Sequence, residues 1–166
     1  MLELGAGAGL PGLVAASYGA STVVITDYPD ADLIDNLEYN IQHCSSISHA
    51  SKVSARGYLW GASPKQLLSF LEPNGDGFDV LILADLLFNH SEHGKLLQSI
   101  KQTMKKTSNA KALVFFTPYR PWLLEKDLNF FKLAQEDFTV TKMFEKVMDK
   151  VMFENDPGVR LHVCRI

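Results

Sequence analysis

Along this chain, apolar runs of strand length alternate with longer stretches of helical period. "MLEL" leads through a glycine loop into "LPGLVAASYG". "STVVITD" leads into "PDADLIDNLEYNIQHC", and "KVSARGYLWG" into "SPKQLLSFL". "FDVLILAD" leads into "SEHGKLLQSIKQTMKK", and "AKALVFFTP" into "PWLLEKDLNFFKLAQED". Parallel strands need a crossover long enough to hold a helix. The alternation therefore predicts an α/β fold, a mostly parallel, doubly wound, Rossmann-like sheet. "FDVLILAD" is apolar almost throughout, as in a strand covered on both faces. The last two runs, "FTVTKMFEK" and "VRLHVCRI", have no helix between them. They predict an antiparallel finish, with a turn at Asp156 to Gly158. A chain of 166 residues with 46% hydrophobic content suits one compact domain.

Local signals place the helix ends. Pro11 falls in the first turn of one helix and Gly19 at its end; Pro29 precedes the next. Leu33, Leu37 and Ile41 share one face of that second helix. Ser63 as cap and Pro64 as first residue open a third helix, and "EPNGDG" reads as a turn. Leu96, Leu97, Ile100 and Met104 point inward from a fourth. Glu125, Lys126 and Asp127 read as a solvated face.

The glycine loop raises the question of a ligand. Gly7-Ala8-Gly9-Leu10-Pro11-Gly12 matches G-x-G-x-x-G, a dinucleotide fingerprint. Small residues there let the backbone approach a ligand, and the following helix offers unpaired N–H groups. Asp27, at the end of the second strand, can accept hydrogen bonds from both hydroxyls of a ribose, or can cap the next helix. The loop also reads as E-x-G-x-G-x-G from Glu3 through Gly5, Gly7 and Gly9. An acid at the end of the first strand suits a cationic amino group and is poorly placed beside a pyrophosphate. That frame favours S-adenosylmethionine, which carries an ammonium and a sulfonium and no phosphate.

Other classes of function find little support. A net charge of -3 argues against nucleic-acid binding by bulk charge. No apolar run approaches the roughly 20 residues of a membrane span, and no secretory leader is visible. Cys44 and Cys164 show no metal or redox spacing, so a reduced, cytoplasmic setting is expected. His90 and His93 have a spacing that invites a metal, but no third ligand is evident. Asn36 and Asn40 lie four apart on one helix face, open to the glycine loop or to neighbouring backbone.

"LELGAGAGLPG", "TDYPDADLIDNLEYN", "YLWG" and "ADLLFNHSEH" together resemble the seven-strand lysine methyltransferases grouped as methyltransferase family 16. The resemblance runs on through "FFTPYRPWL" and "MFENDPG". It is greatest to the fungal branch once called nicotinamide N-methyltransferase-like, whose members methylate the N-terminus and adjacent lysine of translation elongation factor 1-alpha. By that resemblance Glu3, Gly5, Ala6, Gly7 and Gly9 form the cofactor loop, Asp27 holds the ribose, Trp60 packs beside the adenine, and Ala84 meets the cofactor through its backbone. Asp85 opens the family's D-x-x-aromatic motif as the catalytic residue. Phe88, where the family more often has Tyr, lines the acceptor's side with Asn89. Trp60 as plain core and Asp85 as a helix cap remain the alternatives.

The implied chemistry is an in-line displacement at a sulfonium methyl, which needs no protein nucleophile and no metal. The protein must position, desolvate and supply a neutral amine. An α-amine of pKa about 7.7–8.0 meets the last demand more easily than a lysine of about 10.4, a difference of about 3.5 kcal/mol. A small-molecule N-methyltransferase, a non-catalytic methyltransferase-like binding module and a dinucleotide oxidoreductase are the competing readings. Only four residues precede Gly5, where the family usually carries a covering segment. The resemblance thus implies a single methyltransferase domain over 1–166, N-terminally shortened with its lid missing, and weakly active or inactive alone.

Overall fold

The computed structural model describes residues 1–71, 75–147 and 160–166. Its elements are β1 (Leu2–Leu4), α1 (Leu10–Ser17), β2 (Thr22–Asp27), α2 (Ala31–His43), β3 (Lys52–Gly57), α3 (Lys65–Leu68), β4 (Val80–Ala84), α4 (His93–Thr103), β5 (Lys111–Phe116), α5 (Leu124–Ala134), β6 (Thr141–Val147) and β7 (Arg160–Arg165). The seven strands form one sheet in the order β3-β2-β1-β4-β5-β7-β6. The first five are parallel, and β7 runs antiparallel to both β5 and β6. The α/β sheet and its antiparallel finish are those the alternation predicts. The order reverses beside β1, where Leu2 lies between Val24 of β2 and Leu81 of β4. A crevice opens at such a reversal because the flanking crossovers leave on opposite faces.

Two apolar layers cover the sheet. On one side Val23, Ile25 and Ala55 meet Ala16 of α1 and Leu37 of α2. On the other, Leu2, Leu4, Leu81, Leu83 and Val114 meet α4 through Leu96 and Ile100, and α5 through Phe130. Leu96 and Ile100 are fully buried, Met104 nearly so, and Leu97 partly, as expected.

Several local readings need correction. The buried edge of α2 is Ile34, Leu37 and Ile41, while Leu33 is exposed. Ser63 caps nothing: Pro64 is the N-cap of α3, a single turn without a side-chain cap bond. Asp30, not Asp27, caps α2, accepting from the Asp32 N–H at 3.0 Å. Asp127 does not lie on a solvated face; it is only 6% exposed. The expected turn at Asp156 to Gly158, and Glu72 to Asn74 of the expected "EPNGDG" turn, lie outside the described residues.

Candidate active site

The carboxyl ends of β1, β2 and β4 surround a cleft of about 640 Å³. Its floor is the loop after β1. Gly5, Gly7 and Gly9 all have positive φ, at 61°, 56° and 76°. Their surroundings assign them different work. A Cβ on Gly7 would meet nothing within 4 Å, so this backbone faces open space. A Cβ on Gly5 would lie 2.6 Å from Leu86 and 3.1 Å from Trp60, so the missing side chain lets the two walls close on the loop. Gly9 faces away from the cleft, where a Cβ would come within 2.9 Å of Leu37.

Asp27 organises the rim. Its carboxylate accepts from the Gly7 N–H and from the Tyr28 N–H, both at 2.6 Å. Each oxygen keeps a lone pair for a further donor. The loop is held from the other side by Asn40, whose Nδ2 donates to the Ala8 carbonyl at 3.0 Å. Asn36 is exposed. Trp60 stands on the wall opposite the loop, beside Tyr58, whose hydroxyl donates to the Ala62 carbonyl at 3.0 Å. The Gly61 N–H donates to Ser99 Oγ at 2.8 Å, which fixes this segment to α4.

Glu3, Ala6 and Gly9 do not line the cleft. Glu3 lies beneath the loop, 1% exposed. Its Oε2 accepts from the Gly12 N–H of α1 at 2.7 Å, and its Oε1 is buried without a partner. Burial holds the carboxyl up at about 7, against the pull of the Gly12 N–H; the nearby Asp27 charge adds to the rise. Glu3 thus ties the first helical turn to the central strand.

The far wall comes from the segment after β4. Ala84, Asp85, Leu86, Phe88 and Asn89 all line the cleft. Asp85 is the only non-glycine residue with positive φ among those described, at 60°, a region aspartate tolerates better than most side chains. Its N–H donates to the Phe115 carbonyl at 2.8 Å. Partial burial raises its carboxyl above the usual aspartate range; a Thr117 backbone N–H opposes this and Asp127 reinforces it. Leu86 and Leu87 turn into the core, and Phe88 is 60% exposed.

A second cavity of about 230 Å³ adjoins the first, sharing Asp85 and Phe88 with it. Leu87, Phe116, Thr117, Tyr119, Arg120 and Asp127 complete its lining. None of the last five was singled out from sequence for this role, because they come from the end of β5, the connection after it and α5, far along the chain. Tyr28, Glu92 and Lys95 of the main cleft were missed as well. The histidine pair is accounted for by neighbours. His90 Nε2 lies 2.6 Å from Asp127 Oδ1. His93 Nε2 lies 2.9 Å from the Leu87 carbonyl, to which only a protonated nitrogen can donate. Burial lowers the His93 pKa, so the ring is neutral near pH 7.

A family model described as lysine methyltransferase matches residues 1–137. The chain belongs to the lysine methyltransferase family. Among curated relatives, the Emericella nidulans protein named protein N-terminal and lysine N-methyltransferase efm7 is 48% identical over 164 residues, covering 95% of this chain and 63% of its own length. The Schizosaccharomyces pombe protein of the same name is 51% identical over 160 residues, covering 95% and 62%. The chain therefore spans a little under two thirds of these relatives. Solved structures share the fold at low identity. A SAM-dependent methyltransferase from Methanosarcina mazei superposes with a TM-score of 0.66 at 11% identity, over 99% of this chain and 90% of its own. An arsenic (III) S-adenosylmethionine methyltransferase from Chlamydomonas reinhardtii gives 0.67 at 12% identity, over 99% and 61%.

Proposed function

We propose that this chain is the S-adenosylmethionine-dependent domain of a protein N-methyltransferase, acting on an N-terminal α-amine, a lysine, or both. The names of its relatives support a protein acceptor, and the family resemblance points to translation elongation factor 1-alpha in the cytoplasm. No helix of the described residues is long and apolar enough to cross a membrane. One observation carries the reading: Gly5, Gly7, Asp27, Trp60, Ala84 and Asp85 line a single cleft, although they come from at or after the ends of four different strands.

The donor set suits S-adenosylmethionine. The open backbone at Gly7 is a cradle that a Cβ would fill. Asp27 retains acceptor capacity for a pair of hydroxyls, and Trp60 offers a flat apolar face for a base. The bound cofactor supplies an electrophilic methyl group on a sulfonium. This chain's residues do the rest. Trp60 and Leu86 exclude water from the two walls that meet at Gly5. Asp85 and Asn89 line the same cleft, which supports an acceptor role for them. Asp85 orients the incoming ammonium by charge and then holds the amine in line as its proton leaves to solvent. A carboxylate also raises an amine's pKa, so Asp85 acts by orientation more than as a base.

Mass spectrometry of candidate acceptors, incubated with the chain and labelled S-adenosylmethionine, tests the proposal. Label should enter elongation factor 1-alpha at its N-terminus or at a lysine. Labelling of nicotinamide in place of protein would move the reading to a small-molecule enzyme. Absence of S-adenosylhomocysteine binding would end it.

A further inference from the structure

The second cavity adjoins the cleft proposed for the cofactor and opens onto the same carboxylate, Asp85. Asp85 and Phe88 belong to both spaces. Its inner end is Asp127, brought there by the first turn of α5. A carboxylate in a helix's first turn is favoured by the helix dipole, which explains the position but not the burial. Burying a charge is costly unless it is paired, and here the partner is His90, with Nε2 2.6 Å away. His90 belongs to the short turn that precedes α4. The pair therefore joins that turn, which follows the Asp85 motif, to the start of α5.

The charges around this cavity are Asp85, Asp127 and Arg120. The Arg120 guanidinium is partly committed, since Nη2 donates to the Phe88 carbonyl at 3.2 Å. Two carboxylates thus share the lining with one tethered guanidinium, and His90 is hydrogen-bonded to the inner one, Asp127. Phe88, Phe116 and Tyr119 give it aromatic walls, and Phe88 and Tyr119 are exposed at its mouth. Carboxylates with aromatic faces suit an alkylated ammonium, which has few N–H donors and a diffuse positive charge.

We propose that Asp127 is a specificity-determining residue of the acceptor site, facing Asp85 across the second cavity and selecting a cationic amine, including one already methylated. The inference rests on the methyltransferase reading. An amine that gains a methyl group ends as a cation, so a fixed negative charge beside it favours the product side of transfer. The same charge retains a methylated amine for another round. His90 is a positioning residue, holding the Asp127 carboxylate in place.

The test uses two probes that differ only in charge. N,N,N-trimethylglycyl-tetraglycine amide carries a permanent cation, and 3,3-dimethylbutanoyl-tetraglycine amide is its neutral isostere. Binding is followed by NMR titration with S-adenosylhomocysteine present. The unaltered chain should bind the cation at least ten-fold more tightly than the isostere. Asp127→Asn should reduce that ratio to near one without changing affinity for S-adenosylhomocysteine. His90→Gln should keep a clear preference, because the carboxylate remains. An unchanged ratio in Asp127→Asn, or equal losses in both variants, would overturn the proposal and leave Asp127 as a structural staple. If Asp127→Asn fails to fold, the side-chain carboxyl 13C resonance of Asp127 in the unaltered chain decides. It should move with the cationic probe and not with the isostere; equal response or none refutes the assignment. Failure to bind S-adenosylhomocysteine would instead sink the methyltransferase reading, whatever the probes do.

Discussion

Replacing Glu3 by glutamine should flatten the pH dependence of this domain's stability and make it more stable in mild alkali. Glu3 sits in the central strand with one oxygen on the Gly12 N–H and the other buried without a partner. Its carboxyl is raised from 4.5 to about 7, chiefly by burial. Below pH 4.5 the group is protonated in both folded and unfolded chains and contributes no slope. Between 4.5 and 7 the unfolded chain releases the proton while the folded chain keeps it, so stability falls as pH rises. Above 7 both forms are ionised and the loss is complete. A rise from 4.5 to about 7, at 1.36 kcal/mol per pH unit, makes that loss about 3.4 kcal/mol. For a domain of this size each kcal/mol moves the melting temperature by about 2–4 °C, so the full effect is roughly 7–13 °C. Glutamine keeps an acceptor for the Gly12 N–H and cannot ionise. Its own amide group is left short of a partner, which costs about 1–3 kcal/mol at every pH. The variant should therefore be equal or less stable near pH 5 and gain on the parent steadily up to pH 8. Thermal and urea unfolding from pH 5 to 8 measure this directly. Parallel curves for the two chains would mean that the Glu3 carboxyl is not buried as described, or that water reaches its free oxygen.

Three further outcomes follow from the geometry. Asp27→Ala removes the acceptor of two short backbone hydrogen bonds at the glycine loop and should weaken S-adenosylhomocysteine binding by about 1.5–3 kcal/mol, read by calorimetry. Asp85→Ala should lower single-turnover rate with a competent acceptor far more than cofactor affinity; parallel losses would make Asp85 a cofactor or structural residue. Gly12→Ala places a Cβ 2.7 Å from Glu3 Oε2 and from Ile25, at the join of α1 and the sheet. Overpacking of that kind should cost about 1–3 kcal/mol in denaturant unfolding, with no change expected from backbone strain.

Much of this protein can be derived without coordinates, because some of its constraints are local. Strands that alternate with helices cannot pair as hairpins, so the parallel sheet follows from the order of apolar runs alone. The sequence between the last two runs carries no helical pattern, which likewise predicts the antiparallel pairing seen between β6 and β7. Glycines directly after a buried strand identify the loop at Gly5 and Gly7 because their backbone requirement is a property of the residue. Tertiary structure decided which polar groups share a space. Asp27 and Asp30 are equally good caps on paper; only the position of the Gly7 N–H draws Asp27 to the loop and leaves the helix to Asp30. Glu3 looks like a cofactor ligand in the motif, yet α1 closes over it. Asp127 has the composition of a solvent-facing helix start, and His90 that of half a metal site. His90, in the turn before α4, and Asp127, in the first turn of α5, lie 37 residues apart in sequence. Packing both against the same end of the sheet excludes water from that carboxylate, and a buried charge must then find a partner.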